Sequence, residues 1–118
     1  QPVVTKDELL QLIQAARNVE ANDRIFDYVT TLAEATRTHP MVELGVSPRG
    51  ALALCRMAKA HAFLAGRDFV VPEDVAAVFP DVCAHRLILS AKARMMEEKA
   101  ENILAEILKS VDMPVLKA

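Results

Sequence analysis

Apolar residues recur at intervals of three and four along most of the chain, which is the spacing of one face of an α-helix. The first such segment begins at Thr5, a good N-cap, and Glu8 can complete a capping box with it. Its predicted buried face is Leu9, Leu12, Ile13, Ala16 and Val19. A second helix is predicted before Pro40, because the residue that precedes a proline avoids helical angles. Its predicted buried face is Ile25, Val29, Leu32 and Thr36.

The third predicted helix runs from Pro48 to about Ala65, after a predicted loop over residues 39–46. Gly66 follows as its C′ residue. Apolar residues surround this helix almost completely, which is typical of a central helix packed on two sides. Its predicted apolar side is Ala51, Leu54, Cys55, Met57, Ala58, Ala62 and Ala65, with His61 among them as a core histidine.

Short extended pieces and further helices are predicted after Gly66. Residues 69–71 are expected to be extended, and Pro72 starts a helix whose first turn carries the acidic side chains that a helix N-terminus favours. Pro80 is expected to interrupt this helix. A short helical stretch through residues 85–86 and an extended piece at 87–89 follow, and Ser90 can cap another segment.

The last predicted helix has a clean apolar face, formed by Ile103, Leu104, Ile107, Leu108 and Val111. Met95 and Met96, which precede it, are expected to fill gaps at a helix packing surface. The sequence therefore predicts one all-α domain of five or six helices over residues 1–118, with short extended pieces near 69–71 and 87–89.

Composition narrows the classes of protein to which this chain can belong. The 118 residues carry a net charge of −2, which argues against a dedicated nucleic-acid binder. No apolar run reaches the ~20 residues that a membrane span needs. Cys55 and Cys83 lie in apolar stretches, so we expect buried free thiols, a reducing, cytoplasmic location and no metal site. Because the chain begins at Gln1 without a signal pattern, we expect a piece of a longer protein.

The sequence lacks the motifs that assemble a catalytic centre. There is no phosphate-binding GxxxxGK[ST] loop, no GxGxxG and no HExxH, and the few serines have no evident base partner. The 118 residues alone are therefore expected to catalyse no reaction.

Arg49 is unusual because it stands in the first turn of a predicted helix. Ser47 is a suitable N-cap and Pro48 suits the first helical position. A cation at a helix N-terminus, however, is disfavoured by a few tenths of a kcal/mol. Taken alone, the pattern leaves Arg49 either as a solvated surface residue or as a residue that needs an external anion.

Several blocks in order resemble the C-terminal helical lid of the MoxR family of AAA+ ATPases. These blocks are GVSPRG (residues 45–50), GRD (66–68), PEDV (72–75), HR (85–86) before the extended stretch, and the earlier DYVTTLAEATRTHP. The family pattern has a glycine and a hydroxyl-bearing N-cap residue before the last helix, where this chain has MMEEKA instead (residues 95–100). The resemblance covers most of residues 5–112.

The resemblance implies that Arg49 is the sensor 2 arginine, which contacts the γ-phosphate of ATP bound to a neighbouring core domain. Ser47 and Pro48 would set the helix start and aim Arg49, with a direct contact to the nucleotide as the alternative. Gly50 would allow a close approach by the nucleotide or a packed loop, and these four residues form the expected cofactor-binding segment. ATP and Mg²⁺ would be cofactors of the full-length protein, with none bound by this fragment alone. The resemblance also implies a hexameric ring that hydrolyses ATP, with chaperone-like action and a von Willebrand A domain protein as partner.

Alternatives remain for the whole domain and for single residues. A helical protein-interaction module with no nucleotide role is the alternative function. Arg56 is expected to be a surface or intersubunit residue, and His85 and Arg86 a structural cap or a contact between lid and core.

Overall fold

The computed structural model describes residues 5–115 of the chain. In chain order its elements are α1 (Lys6–Arg17), α2 (Asp23–Thr38), β1 (Val42–Leu44), α3 (Pro48–Leu64), α4 (Pro72–Cys83), a 3₁₀ turn (Ala84–Arg86), β2 (Ile88–Leu89), α5 (Ala91–Met95) and α6 (Ala100–Ser110). The all-α prediction is confirmed, with six helices in this part of the chain. Residues 1–4 and 116–118 of the predicted domain lie outside the described residues.

The core lies between α2, α3, α4 and α6. The predicted buried face of α2 is confirmed, and α6 buries three of its five predicted residues and half-buries the other two. The largest apolar side chains with no more than 1% exposure are Ile25, Leu32, Val46, Leu54, Val75, Phe79 and Leu104. Burying one such large side chain contributes about 1.5–3 kcal/mol to stability, so this cluster fixes how the four helices pack.

The predicted buried face of α1 is wrong. Thr5 and Glu8 form the expected capping box, but no residue of the helix is buried. Leu9 is 48% exposed and Ile13 is 42% exposed, whereas Val19, beyond the helix end, is buried. The amphipathic pattern predicted the helix correctly, but within residues 5–115 its contact with α3 leaves much of the apolar face exposed.

The outer side of α3 is also more exposed than predicted. Its inner face is buried through Leu54, Ala58 and Ala62, and the helix ends as expected, with Gly66 at φ 85°. Met57, however, is 48% exposed, and the side chain of His61 is 44% exposed. The prediction of a core histidine is therefore wrong, because His61 lies at the rim, where it meets a buried carboxylate.

The predicted loop over residues 39–46 contains β1. This strand pairs antiparallel with β2, with Val42 opposite Leu89 and Leu44 opposite Ile88. The extended piece predicted at 87–89 is thus confirmed as β2, and the piece at 69–71 forms a single parallel bridge between Glu20 and Phe69. Because both strand segments are short, neither shows the alternation of apolar and polar residues that would reveal a strand.

Pro80 does not interrupt α4, which continues to Cys83. A proline inside a helix removes one backbone hydrogen bond. Here Phe79 is buried on one side of Pro80, and Val82 and Cys83 on the other. Their apolar burial offsets the lost bond, so the predicted break becomes a continuous helix that runs directly into the 3₁₀ turn.

The segment before α6 departs from expectation in two ways. Met95 is 84% exposed and Met96 is 58% exposed, so neither fills a gap in the described part of the chain. Glu97 adopts φ 56°, a left-handed conformation that glycine enters most easily, and Lys99 gives α6 no side-chain cap. Ser90 does cap α5 as predicted, accepting a hydrogen bond of 3.1 Å from the Ala93 N–H.

Both cysteines are free and buried, as expected. Burial raises the pKa of the Cys83 thiol to about 11 and also raises that of Cys55, so both remain neutral thiols near neutral pH. Within residues 5–115, no helix combines the length and the hydrophobicity that a membrane span requires.

Candidate functional site

Arg49 lies in the first turn of α3 with its side chain exposed. The Ser47 hydroxyl caps this helix by accepting a 3.1 Å hydrogen bond from the Gly50 N–H, and Pro48 occupies the first helical position. The first turn contains no acidic residue. Among residues 5–115 the Arg49 guanidinium has no ion-pair partner within 4.0 Å, so its charge is uncompensated there.

Residues from the end of α2 hold the loop that leads to Arg49. The buried Thr36 hydroxyl accepts a 2.9 Å hydrogen bond from the Val46 N–H and donates one of 2.6 Å to the Ala33 carbonyl. The Arg37 Nε–H donates to the Val46 carbonyl at 2.9 Å. Val46 itself is fully buried, so both of its backbone groups and its side chain are fixed. This clamp sets the direction in which α3, and Arg49 with it, begins.

Gly45 is required at its position because the loop passes directly over α2. A Cβ on Gly45 would lie 2.7 Å from the Arg37 backbone nitrogen and 2.8 Å from the Thr36 carbonyl carbon. Since both neighbours are backbone atoms of a helix, neither can move aside cheaply. The first glycine of GVSPRG is therefore explained by packing between the loop and α2.

Gly50 allows a close approach by a packed loop, one of the two possibilities that the sequence left open. A Cβ there would lie 2.7 Å from Val46 Cγ1 and 3.2 Å from Arg86 Cδ. Arg86 is held in turn by its own Nε–H, which donates to the Val82 carbonyl at 3.0 Å. Arg86 thus packs its aliphatic stem beside the start of α3, although its side chain, like those of His85 and Arg56, is exposed overall.

The chemistry that this arrangement offers is the binding of an oxyanion. The first backbone N–H groups of a helix and a nearby guanidinium both donate hydrogen bonds to phosphate, and the helix dipole adds to the attraction. Arg suits a phosphate because its planar fork donates two parallel bonds. Within residues 5–115, no group of three or more His, Cys, Asp or Glu side chains could hold a metal ion.

A second charged cluster lies at the start of α4, and the sequence did not predict it. Asp74 is fully buried, and its carboxylate accepts a bidentate pair of bonds from Arg67, at 2.6 and 2.8 Å. The Val71 N–H donates to it at 2.8 Å, and His61 Nδ1 lies 2.7 Å from it. The sequence placed Asp74 in the first helical turn but gave it only a dipole role.

The electrostatics of this cluster favour the charged carboxylate. Burial raises the pKa of Asp74, but hydrogen bonds from Arg67, the Val71 N–H and His61 lower it by more, so it lies below its ordinary value. The bond to Asp74 likewise raises the pKa of Arg67. The GRD and PEDV blocks meet in space at this pair, and a basic and an acidic residue seven positions apart in those two blocks were the sequence signal that could have predicted it.

Comparison with known proteins places this geometry in a family. A family model described as "AAA lid domain" matches residues 34–107. The chain is 39% identical over 118 residues to the uncharacterized protein YeaC of Bacillus subtilis, a match that covers 100% of this chain and 37% of that protein. It is 33% identical over 125 residues to "Chaperone MoxR1" of Mycobacterium tuberculosis, covering 98% of this chain and 33% of that one.

A solved structure shares the fold as well as the sequence. A crystal structure of a protein from Cytophaga hutchinsonii superposes with a TM-score of 0.91 at 31% identity. The match covers 98% of this chain and 38% of that one. The chain therefore spans little more than a third of the length of the proteins that it matches.

Proposed function

Because the chain belongs to the AAA lid domain family, as the lid of a MoxR-type AAA+ ATPase, we propose that it senses the ATP bound to the ATPase core of the same polypeptide. The core precedes residue 1 in this proposal. The lid closes over the nucleotide, and Arg49 acts as the sensor 2 residue that contacts the γ-phosphate. The alternative is a helical interaction module with no nucleotide role.

The observation that carries the proposal is the uncompensated charge of Arg49. This exposed arginine stands at a helix N-terminus that disfavours it, directly after a loop that α2 holds through Thr36 and Arg37. A γ-phosphate bound there makes the position of Arg49 favourable, because the phosphate accepts hydrogen bonds from the guanidinium and faces the positive end of the α3 dipole. The affinity of the closed lid then depends on whether that phosphate is present, which is what a switch requires.

The other residues of the motif have supporting roles in this proposal. Ser47 caps α3 and Pro48 starts it, so that Arg49 leaves the helix in a fixed direction. Gly50 keeps the first turn close to Val46 and Arg86. ATP and Mg²⁺ are held by the core, because one arginine and one helix end fit only the phosphate end of a nucleotide. This chain alone therefore binds nucleotide weakly or not at all.

The wider assembly is part of the same proposal. Lids of several subunits and their cores form a ring, which we take to be a hexamer, and each lid passes the nucleotide state to its neighbour. The relative named "Chaperone MoxR1" supports a chaperone-like remodelling activity. A von Willebrand A domain protein is the partner that the family resemblance suggests.

The test is steady-state ATP hydrolysis by the intact parent polypeptide and its Arg49→Ala variant. We expect kcat to fall by about tenfold or more, the scale of removing a cation that stabilises the transition state. Arg56→Ala is the matched control, because this exposed arginine lies two turns further along the same helix. A nucleotide titration and a measurement of ring mass separate lost catalysis from lost binding or assembly. If Arg49→Ala hydrolyses ATP like the parent, the interaction module becomes the better reading.

A further inference from the structure

The apolar face of α1 is an exposed hydrophobic feature that lies on one element of the described residues. No residue of this helix is buried. Its large apolar side chains are exposed to nearly half of their area or more: Leu9 by 48%, Leu10 by 53%, Leu12 by 43% and Ile13 by 42%. Single exposed leucines are ordinary on a protein surface, but four within two turns of one helix form a contiguous patch.

Helix α1 contacts α3, but among residues 5–115 its burial increases only towards its C-terminal end. Ala16 is half-buried, and Val19 just beyond the helix is 3% exposed. The backbone then joins the domain through bonds between Glu20 and residues 68 and 70. A helix of 12 residues is marginal in water when tertiary packing does not support it. The first two turns of α1 therefore have little tertiary support among the described residues.

The comparisons indicate where a partner for α1 lies. The family model for the lid matches residues 34–107 and so leaves α1 out, whereas YeaC matches the whole chain, α1 included. Helix α1 is thus shared with a relative nearly three times as long, of which this chain covers 37%. The rest of such a polypeptide is held at high effective concentration beside the patch.

We propose that the apolar face of α1 docks on the ATPase core of the same polypeptide. In this proposal the α1 contact is permanent, whereas the Arg49 contact forms only when the lid closes over the nucleotide. The inference rests on the proposed function, because it takes the absent segment to be that core. A cleft of about 740 Å³ next to the end of α1 extends the surface, and Phe69, which lines it, is 48% exposed.

Hydrogen exchange of the α1 amides tests the docking directly. In the 118-residue chain we expect these amides to exchange within about tenfold of the unfolded rate, since a helix without buried contacts opens easily. In the intact parent at a concentration where it is monomeric, we expect exchange to be slower by about 100-fold or more. The double variant Leu9→Gln with Ile13→Gln should return the parent to the rate of the short chain.

The control is Gln11→Ala with Gln14→Ala, on the polar face of the same helix, which should leave the protection unchanged. Equal exchange in the short chain and the parent would overturn the docking. Protection that appears in the short chain with rising concentration, together with a dimer mass, would replace the core by a second copy. Protection that appears only in the assembled ring would replace it by the neighbouring subunit.

The same variants separate this inference from the proposed function. Arg49→Ala should leave the α1 amides protected in the parent, because the docking is independent of the γ-phosphate. If Arg49→Ala hydrolyses ATP normally while α1 is protected, only the sensor role fails. If kcat collapses while α1 exchanges freely, only the docking fails.

Discussion

The starts of α3 and α4 each carry an arginine nearby, and the two arginines are in opposite situations. At α4, Arg67 meets the buried Asp74 in a bidentate pair with bonds of 2.6 and 2.8 Å. At α3, Arg49 is exposed and has no carboxylate within 4.0 Å among residues 5–115. The sequence alone singled out Arg49 and passed over Arg67.

The difference shows how to distinguish an arginine that stabilises the fold from one that can bind a ligand. An arginine whose guanidinium already forms a bidentate pair with a carboxylate stabilises the fold, and its charge is compensated within the domain. An exposed arginine that lacks a counter-ion adds no ion pair to the fold and can respond to an anion that arrives from outside. Stability measurements on variants at the two sites should therefore diverge.

The largest expected effect comes from Asp74→Asn. The change leaves Arg67 and His61 facing a neutral amide, and we expect the free energy of unfolding to fall by roughly 2–3 kcal/mol in urea titrations of this chain. The loss is smaller than for a wholly buried pair, because the Arg67 side chain is 29% exposed and can regain water. Glu73→Gln, the exposed neighbour, is the control and should stay within about 0.5 kcal/mol. A variant as stable as the parent would contradict the structural role.

The next effect is a pH dependence of the free energy of unfolding, which the parent should show and the Asp74→Asn variant should lack. The pKa of Asp74 in the folded state lies below its ordinary value of 3.8, so folding favours the ionised form. Its contribution is complete above the unfolded pKa and is lost as the pH falls through the folded pKa. Unfolding free energies measured from pH 6 downward should thus converge for parent and Asp74→Asn below about pH 4. A gap that stays constant through this range would exclude the ionised carboxylate as its source.

The smallest expected effect, with the opposite sign, comes from Arg49→Gln. Removing a cation from the N-terminus of α3 should stabilise the chain by a few tenths of a kcal/mol, and added salt should reduce this gain. Thermal unfolding at low and high ionic strength measures it. A loss of about 1 kcal/mol or more would mean that Arg49 has a partner within the domain, and the contrast with Arg67 would disappear.

The helices could be predicted from the sequence because their signals are local. Thr5, Asn22, Ser47 and Ser90 each accept a hydrogen bond from a backbone N–H three residues later, so the capping residue marks the boundary. Pro80 was misread because a proline is also a local signal, whereas the burial of Phe79 and Cys83 that overrides it depends on other helices. Strand β1 was missed because three residues are too few to show a strand pattern, and the β2 residues that pair with it lie more than forty positions away.

The candidate site divides in the same way. The family blocks identified Arg49, Ser47, Pro48 and Gly50, and their helical positions agree with the structure. Nothing local indicated that Thr36 and Arg37 hold the loop before α3, since those bonds join residues nine and ten positions apart. The partners of Asp74 were hidden for a similar reason, because His61 lies thirteen residues before it.

The sequence by itself determined which segments are helical, where most of them begin, and that a cation stands where the helix dipole disfavours it. These features depend on spacing and capping within a few residues. Only the tertiary structure decided which apolar faces are covered and which charges are paired. The face of α1 and the side chain of Arg49 remain open, whereas Asp74 is enclosed, because burial and ion pairing depend on segments that meet only after the chain folds.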